Sequence, residues 1–194
     1  LTKNQIILYK NRIDELEQQM NASKSEFEAK GKVLNAIMSL KQICNHPSQY
    51  LGKTDYQLEE SGKFVELKNI CENIFEKREK VLVFTQFKEI IPALNNMLKD
   101  IFKIEGYCID GDTTLSVRDK YVNGFQNDDI PYMILSVKTG GVGLNLTAAQ
   151  NVIHFDRWWN PAVENQATDR VHRIGQENDV MVYRFITKGT LEET

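Results

Sequence analysis

Four polar side chains near the C-terminal end of the chain have the spacing of one face of a helix. Counted from the first, the others follow after three, four and seven positions: Gln166, Asp169, Arg170 and Arg173. Residues with these separations project from the same side of a helix. Asn160 can cap this helix, and Pro161 suits its first position. One guanidinium group can bind two phosphate oxygens at once. The pattern therefore predicts a helix that meets an anion, with phosphate as the obvious candidate.

Two other segments carry groups suited to phosphate. A glycine-rich turn follows an apolar run and contains Gly140, Gly141 and Gly143. Its glycines let the backbone approach a ligand and offer amide groups, although such turns are common after strands. Thr85 and Gln86 follow another apolar run where a helix can begin, so exposed amides and a hydroxyl there would suit a DNA phosphate. Ordinary helix capping is the competing explanation for Thr85.

The elements that must position these residues alternate along the chain. Five apolar runs rich in β-branched and aromatic residues predict strands at positions 80–85, 107–109, 132–137, 151–155 and 181–187. Apolar residues at helical spacing predict helices near 64–74 and 90–97. A third helix begins near Ser116, where Asp119 completes a capping-box pattern. Strands that alternate with helices indicate an α/β fold whose parallel sheet is covered by helices on both faces.

The first sixty residues follow a different pattern. Apolar residues recur at helical spacing over positions 6–20 and again over 34–44, and they predict two amphipathic helices, the second ending before Pro47. Positions 48–60 are polar and include Gly52, which predicts a loop. We therefore expect a helical segment over residues 1–60 and an α/β domain over residues 61–194.

Composition is that of an ordinary globular protein. Hydrophobic residues make up 41% of the chain, charged residues 26%, and no apolar run is long enough to cross a bilayer. The three cysteines (Cys44, Cys71 and Cys108) lack CxxC spacing, which favours buried thiols over disulfides or a zinc site. The three histidines show no metal-ligand spacing either, so no metal site is expected. Because the formal net charge is −3, any contact with nucleic acid must come from local placement of charge.

The sequence lacks the parts that hold a nucleoside triphosphate. No segment fits the pattern G-x-x-x-x-G-K-[ST] of a phosphate-binding loop. The one Asp-Glu pair, Asp14-Glu15, lies in a helical charge pattern and not after a strand. We therefore expect the β- and γ-phosphates and Mg²⁺ to be held by another part of the protein, and this chain by itself to hydrolyse ATP poorly.

Seven short motifs occur in a fixed order over nearly the whole chain. They are LKQICNHP (40–47), SGK (61–63), KVLVFTQF (80–87), IDG (109–111), KTGGVGLNL (138–146), WWNP (158–161) and VHRIGQ (171–176). In these motifs and their order, the chain resembles the C-terminal RecA-like lobe of the Swi/Snf-type, helicase-like DNA translocases of superfamily two. The wording WWNPAVENQATDR is most similar to the prokaryotic branch of that family.

The resemblance implies roles at an ATP site shared with a second lobe. Arg170 and Arg173 would reach the ATP phosphates as arginine fingers, with Gln166 ordering the nucleotide or its water. Gly141, Gly143 and Asn145 would lie at the nucleotide, Asn145 as a link to the DNA site. Judged from spacing alone, a surface salt bridge between Arg173 and Glu177 would be the favoured alternative, worth about 1 kcal/mol or less.

The resemblance also implies a set of DNA contacts: Thr85, Gln86, Lys138, Thr139, Gly140 and Trp159. Lys138 would bind a phosphate of the tracked strand, and Trp159 would touch the backbone or a groove. Asp156 ends an apolar run and is expected to shape the cleft, with no role as a general acid.

These expectations describe half of a split motor. The resemblance implies ATP with Mg²⁺ as its cofactor. It implies as partners an N-terminal RecA-like lobe of the same protein and double-stranded DNA of any sequence, with another DNA-bound protein as a further candidate. We expect no membrane contact, and we expect a location in the cytoplasm, at the nucleoid of a bacterium, or in the nucleus if the protein is eukaryotic. A strand-separating helicase lobe and a non-catalytic docking module are the alternatives.

Overall fold

The chain forms two compact units. The computed structural model describes residues 1–136, 144–157, 162, 165–166, 169 and 179–193. The helical unit consists of Leu1–Glu66 and Ile186–Thr194, and the sheet unit consists of Leu67–Phe185. The α/β domain predicted from the sequence extended to residue 194, whereas the last residues belong to the helical unit. The division into a helical protrusion and a RecA-like lobe stays a prediction.

Five strands form one sheet in the sheet unit. They are β1 (Val81–Thr85), β2 (Tyr107–Ile109), β3 (Tyr132–Ser136), β4 (Asn151–His154) and β5 (Met181–Arg184). Their order is β2-β3-β1-β4-β5, and every neighbouring pair is parallel. In the centre, Phe84 of β1 lies between Leu135 of β3 and His154 of β4. The predicted α/β fold with a parallel sheet is confirmed, and all five predicted strands are present, although β5 ends at Arg184 and not at residue 187.

The strands at the centre of the sheet have no polar face. Every residue of β1, β3 and β4 is buried, as expected where both faces of a parallel sheet are covered. Leu82 and Phe84 pack with Phe125 in one cluster, and alternate residues such as Val83 point to the other face. The edge strand β5 differs, because its first residue Met181 is 56% exposed. The difference in burial between the centre and the edge of the sheet explains why the central strands have mainly apolar sequences.

Three helices accompany the strands: α4 (Gly62–Glu76), α5 (Ile91–Phe102) and α6 (Leu115–Asn127). A 3₁₀ turn at Lys88–Ile90 precedes α5. The prediction that Ser116 caps α6 is wrong, since the cap is Thr114, whose side chain accepts a hydrogen bond from the Val117 amide. Thr114 has the extended backbone of a cap residue, and the helix has begun before Ser116 is reached.

The helical unit contains α1 (Lys3–Asn21), α2 (Glu26–Asn45) and α3 (Pro47–Leu51), with 3₁₀ turns at Leu58–Glu60 and Leu191–Glu193. The two long helices are confirmed. The predicted loop over 48–60 is only partly right, because it contains most of α3 and a 3₁₀ turn. The short helix forms because Pro47 occupies its first turn and the His46 side chain accepts a hydrogen bond from the Ser48 amide at 3.0 Å.

A buried ion pair joins distant parts of the helical unit. The Lys63 ammonium lies 2.8 Å from Oε2 of Glu192, and their side chains are 5% and 0% exposed. The same ammonium donates to Oδ1 of Asn45 at 3.0 Å, and the Thr187 amide donates to Oε1 of Glu192 at 3.3 Å. The Leu191 amide donates to the hydroxyl of Tyr9 at 2.9 Å. These bonds make the last described residues part of the helical unit.

All three cysteines are free thiols within the described residues. Burial raises the pKa of Cys44 to about 11 and that of Cys71 and Cys108 to about 12. Thiols with such pKa values are poor nucleophiles at neutral pH. The prediction of buried thiols is confirmed for Cys44 and Cys71, and Cys108 is half-buried. Among the described residues, every helix is too short or too polar to cross a membrane.

Candidate functional site

The carboxyl ends of β1 and β4 lie side by side in the sheet. The chain leaves β1 toward β2 on one side of the strand order, and it leaves β4 toward β5 on the other side. In open parallel sheets, ligands bind in the crevice where neighbouring strands have diverging connections. The candidate site therefore lies at the residues that end β1 and follow both strands. We call Thr85, Gln86, Asp156 and Arg157 the strand-end site.

Asp156 ties the two strand ends together. Its carboxylate accepts a hydrogen bond from the Thr85 hydroxyl at 2.5 Å through Oδ2, and one from the Gln86 amide at 2.7 Å through Oδ1. The side chain is fully buried. Hydrogen bonds to a charged acceptor are short and strong, and a buried carboxylate needs such donors. The predicted contribution of Asp156 to the shape of this edge thus has a specific form: it fixes the start of the segment after β1.

Thr85 differs from the prediction. Its side chain is buried, and its hydroxyl is committed to Asp156 as a donor and to the Phe87 amide, 3.1 Å away, as an acceptor. The exposed hydroxyl expected from the sequence is therefore not found. The capping explanation weighed against it is closer, because the bond from the Phe87 amide is a local side-chain-to-backbone bond. A contact between DNA and this strand end remains a prediction, and it falls to Gln86.

Gln86 and Arg157 are the partly exposed members of the strand-end site. The side-chain amide of Gln86 donates to the Arg157 carbonyl oxygen at 3.4 Å, a long and therefore weak hydrogen bond. Arg157 brings a positive charge to the same edge. An amide and a guanidinium are groups that can bind and orient an anion.

A second polar cluster follows β1 and β2 at the same edge of the sheet. Asp110 accepts a hydrogen bond from the Asp112 amide at 2.8 Å, which fixes a tight turn after β2. Lys88 forms an ion pair with Asp112, and both side chains are exposed. An exposed pair of this kind contributes little to stability because water screens it. No three acidic, histidine or cysteine side chains converge as a metal site requires, within the described part of the chain.

Comparisons with known proteins identify this architecture. Residues 63–175 match the family described as "Helicase conserved C-terminal domain". The structure of the Sulfolobus solfataricus SWI2/SNF2 ATPase core in complex with double-stranded DNA is 36% identical and superimposes with a TM-score of 0.87, covering 100% of this chain and 40% of that chain. The chain is a Swi/Snf-type helicase C-terminal domain. The RecA-like parallel sheet expected from the resemblance is confirmed with it.

Other relatives extend across domains of life. A Bacillus subtilis protein described as "Putative ATP-dependent helicase/translocase YwqA" is 41% identical over 196 residues, covering 100% of this chain and 21% of its own length. The ISWI chromatin-remodeling complex ATPase ISW2 of Saccharomyces cerevisiae is 33% identical over 204 residues, covering 100% and 18%. This Swi/Snf-type domain thus spans about a fifth of these curated relatives. Because the matches include bacterial, archaeal and yeast proteins, the prokaryotic branch stays a prediction.

The predicted site residues of the Swi/Snf-type domain fall into two groups. Among the described ones, Asn145 is exposed, and Gln166 is exposed and helical, as is Asp169. The others lie outside the residues that the structure describes: Lys138, Thr139, Gly140, Gly141, Gly143, Trp159, Arg170 and Arg173. The helix cap predicted at Asn160 and Pro161 lies outside them as well. For all of these, the roles that the family implies stay predictions.

One short segment contains part of a phosphate-loop pattern. Gly52-Lys53-Thr54 has the last three letters of the pattern, but Pro47 stands where its first glycine is required. Gly52 is the residue that ends α3, with φ 70°, and the Lys53 amide donates back to the Ser48 carbonyl oxygen. A phosphate loop precedes a helix and points free amides at its ligand. This fragment ends a helix instead, and the Lys53 amide is already used.

Proposed function

We propose that the chain is the second RecA-like lobe of an ATP-dependent motor that moves along double-stranded DNA. A first lobe outside this chain holds ATP and Mg²⁺. Arg170 and Arg173 reach the phosphates of that ATP and stabilise the charge that develops on the transferring phosphoryl group. Gln166 orders the nucleotide or the attacking water, while Gly141, Gly143 and Asn145 approach the nucleotide with backbone and side-chain groups.

The same lobe contacts DNA through its phosphates. Gln86, at the strand end that Thr85 and Asp156 fix, acts together with the contacts that the family implies for the glycine-rich segment and the WWNP motif: Lys138, Thr139, Gly140 and Trp159. Phosphates repeat regardless of base sequence, so contacts of this kind bind DNA of any sequence. Their strength depends on salt, because each neutralised phosphate releases counterions.

One observation carries the proposal: the candidate DNA segment and the segment that leads to the arginines are bonded together at the strand-end site. Residues 85–86 donate to residues 156–157, and Arg157 is followed in sequence by the WWNP motif and the arginine-bearing VHRIGQ motif. Further support comes from the Sulfolobus solfataricus SWI2/SNF2 ATPase core, 36% identical over the whole of this chain, whose structure contains double-stranded DNA.

Removing an arginine finger tests the proposal most directly. In the full-length protein, we expect Arg173→Ala to lower the DNA-stimulated ATP hydrolysis rate by roughly 10³-fold, the lower end of the range for such fingers. Arg78→Ala is the matched control, because Arg78 is an exposed arginine just before β1, at the opposite edge of the sheet. A decrease of less than a few-fold in the Arg173 variant would show that Arg173 is no finger.

The alternatives make different predictions for the same assay. A strand-separating helicase would be stimulated best by single-stranded DNA, whereas the motor proposed above needs the duplex. A docking module would bind a partner protein stoichiometrically and show no DNA affinity even with the first lobe present, so neither form of DNA would stimulate hydrolysis. Measuring the ATPase rate with duplex and with single strands of equal length therefore separates the three functions.

A further inference from the structure

Three hydrogen bonds join the two segments of the strand-end site, and in each of them Thr85 or Gln86 is the donor. The Thr85 hydroxyl, the Gln86 amide and the Gln86 side-chain amide donate, and Asp156 or the Arg157 carbonyl oxygen accepts, at 2.5, 2.7 and 3.4 Å. The donors and acceptors are about seventy positions apart in sequence. Both the main chain and the side chain of Gln86 are therefore attached to residues 156–157.

A carboxylate is the side chain that this joint requires. One oxygen accepts from a hydroxyl while the other accepts from a backbone amide, so both must be acceptors. An asparagine offers one acceptor and one donor, and its amide group could keep the shape while leaving the Thr85 hydroxyl proton without Oδ2 as its acceptor. Because the carboxylate is buried, water does not compete for these bonds, and they are stronger than similar bonds on the surface.

We propose that Asp156 is a positioning residue that couples DNA contact to ATP hydrolysis. The inference rests on the proposed function, in which Gln86 meets a DNA phosphate and Arg170 and Arg173 meet ATP. When a phosphate orders Gln86, the bonds to Asp156 and Arg157 pass that order to the main chain at the start of the segment that bears the arginines. Asp156 itself touches neither ligand. Its effect is on how strongly DNA binding accelerates hydrolysis.

Asp110 provides a comparison, because its carboxylate lies at the same edge of the sheet but is bonded only within its own turn. It follows β2 as Asp156 follows β4, and its carboxylate also accepts a backbone amide, from Asp112 at 2.8 Å. Its other bond, a long one at 3.5 Å, is to the Thr113 hydroxyl. Both partners belong to its own turn, so these bonds link it to no other strand. Asp110 is therefore the matched control for Asp156.

The test measures the ratio of DNA-stimulated to unstimulated ATP hydrolysis in the full-length protein, with a duplex as the DNA. We expect Asp156→Asn to lower this ratio at least tenfold, while the duplex concentration that gives half-maximal stimulation changes less than threefold. Asp110→Asn should change the ratio less than twofold. A merely structural role would instead change the half-maximal concentration and the melting temperature together with the rate. That result, or an unchanged ratio in Asp156→Asn, would overturn the proposal.

Thr85→Val gives a second, independent variant should Asp156→Asn fail to fold. Valine matches threonine in shape and removes the hydroxyl, which donates to Asp156 and also accepts from the Phe87 amide. We expect a three- to tenfold lower ratio, and no further decrease when the two substitutions are combined, because both break the same joint. An unchanged ratio in Thr85→Val would contradict the coupling role. A wild-type protein that duplex DNA does not stimulate would refute the proposed function instead.

Discussion

The two units each bury an acidic side chain, and the comparison between them separates structure from function. Glu192 in the helical unit has a side chain that is 0% exposed, and Asp156 in the sheet unit is equally buried. Both accept a backbone amide through one carboxylate oxygen. Burial of an acid is often taken as a mark of function, because burial perturbs its ionisation. Burial alone does not tell which of these two acids is structural and which is functional. Their hydrogen-bond partners and their positions in the fold do.

The partners differ in kind. Oε2 of Glu192 meets the ammonium group of Lys63, which also binds Asn45, so three segments of the helical unit meet at one ion pair. A buried ion pair contributes little net stability but specifies one arrangement of the segments that it joins. Oδ2 of Asp156 meets a hydroxyl at the open edge of a parallel sheet, where ligands bind. The first acid holds a unit together, and the second orients residues that a ligand would reach.

Breaking the ion pair of the helical unit should give the largest effect on stability. Lys63→Met keeps the length of the side chain but leaves Glu192 buried without this cation, which typically costs about 3–5 kcal/mol. We expect a loss of that size in the free energy of unfolding, measured by urea denaturation followed by circular dichroism.

Lys68→Met is the matched control for this loss. Lys68 forms an exposed pair with Glu72 one turn along α4, at 3.8 Å, so its removal should cost less than about 0.5 kcal/mol. Equal losses in the two lysine variants would mean that the buried pair is not special. Glu192 could then no longer be described as the acid that holds the helical unit together.

Sequence reasoning found the local features of both units and missed the long-range ones. The central strands could be predicted because a covered parallel sheet demands continuous apolar runs, as in Val81–Thr85. Lys63 and Glu192 lie 129 positions apart, and no local pattern announces their pairing. The same holds for Thr85 and Asp156, 71 positions apart. For Thr85, the sequence showed the end of a strand but not the carboxylate that takes its hydroxyl.

The cysteines report on the two units separately. Cys44 belongs to the helical unit, where burial raises its pKa most and the negative charge of Glu192 raises it further. Cys108 lies on β2 in the sheet unit. In Lys63→Met, we expect labelling of Cys44 by a thiol reagent to speed up roughly 100-fold, since about 3 kcal/mol of local stability is lost. Cys108 should change less than threefold. Mass spectrometry of labelled peptides measures both, and parallel acceleration of the two would show that the units do not respond separately.

The smallest expected effect is a pH dependence that belongs to the helical unit alone. Burial lowers the pKa of His46 below its ordinary 6.5. Its Nδ1 accepts the Ser48 amide at 3.0 Å, and its Nε2 lies 2.8 Å from the Gln57 carbonyl oxygen, which together require a neutral ring protonated at Nε2. Protonation of Nδ1 would remove the acceptor that caps α3. Since the unfolded chain binds the proton more readily, stability is complete above about pH 6.5 and falls as the pH drops toward the folded-state pKa.

His46→Asn isolates this term, because asparagine can still accept the Ser48 amide as a helix cap but does not titrate. We expect the stability of the wild type to fall between pH 7 and pH 5 more steeply than that of the variant, by at most about 1.4 kcal/mol per pH unit, the limit for one proton. Urea denaturation of both proteins across this range measures the difference. Identical pH profiles would mean that the folded and unfolded states bind the His46 proton equally well, and that the cap at Nδ1 does not make the stability of the helical unit depend on pH.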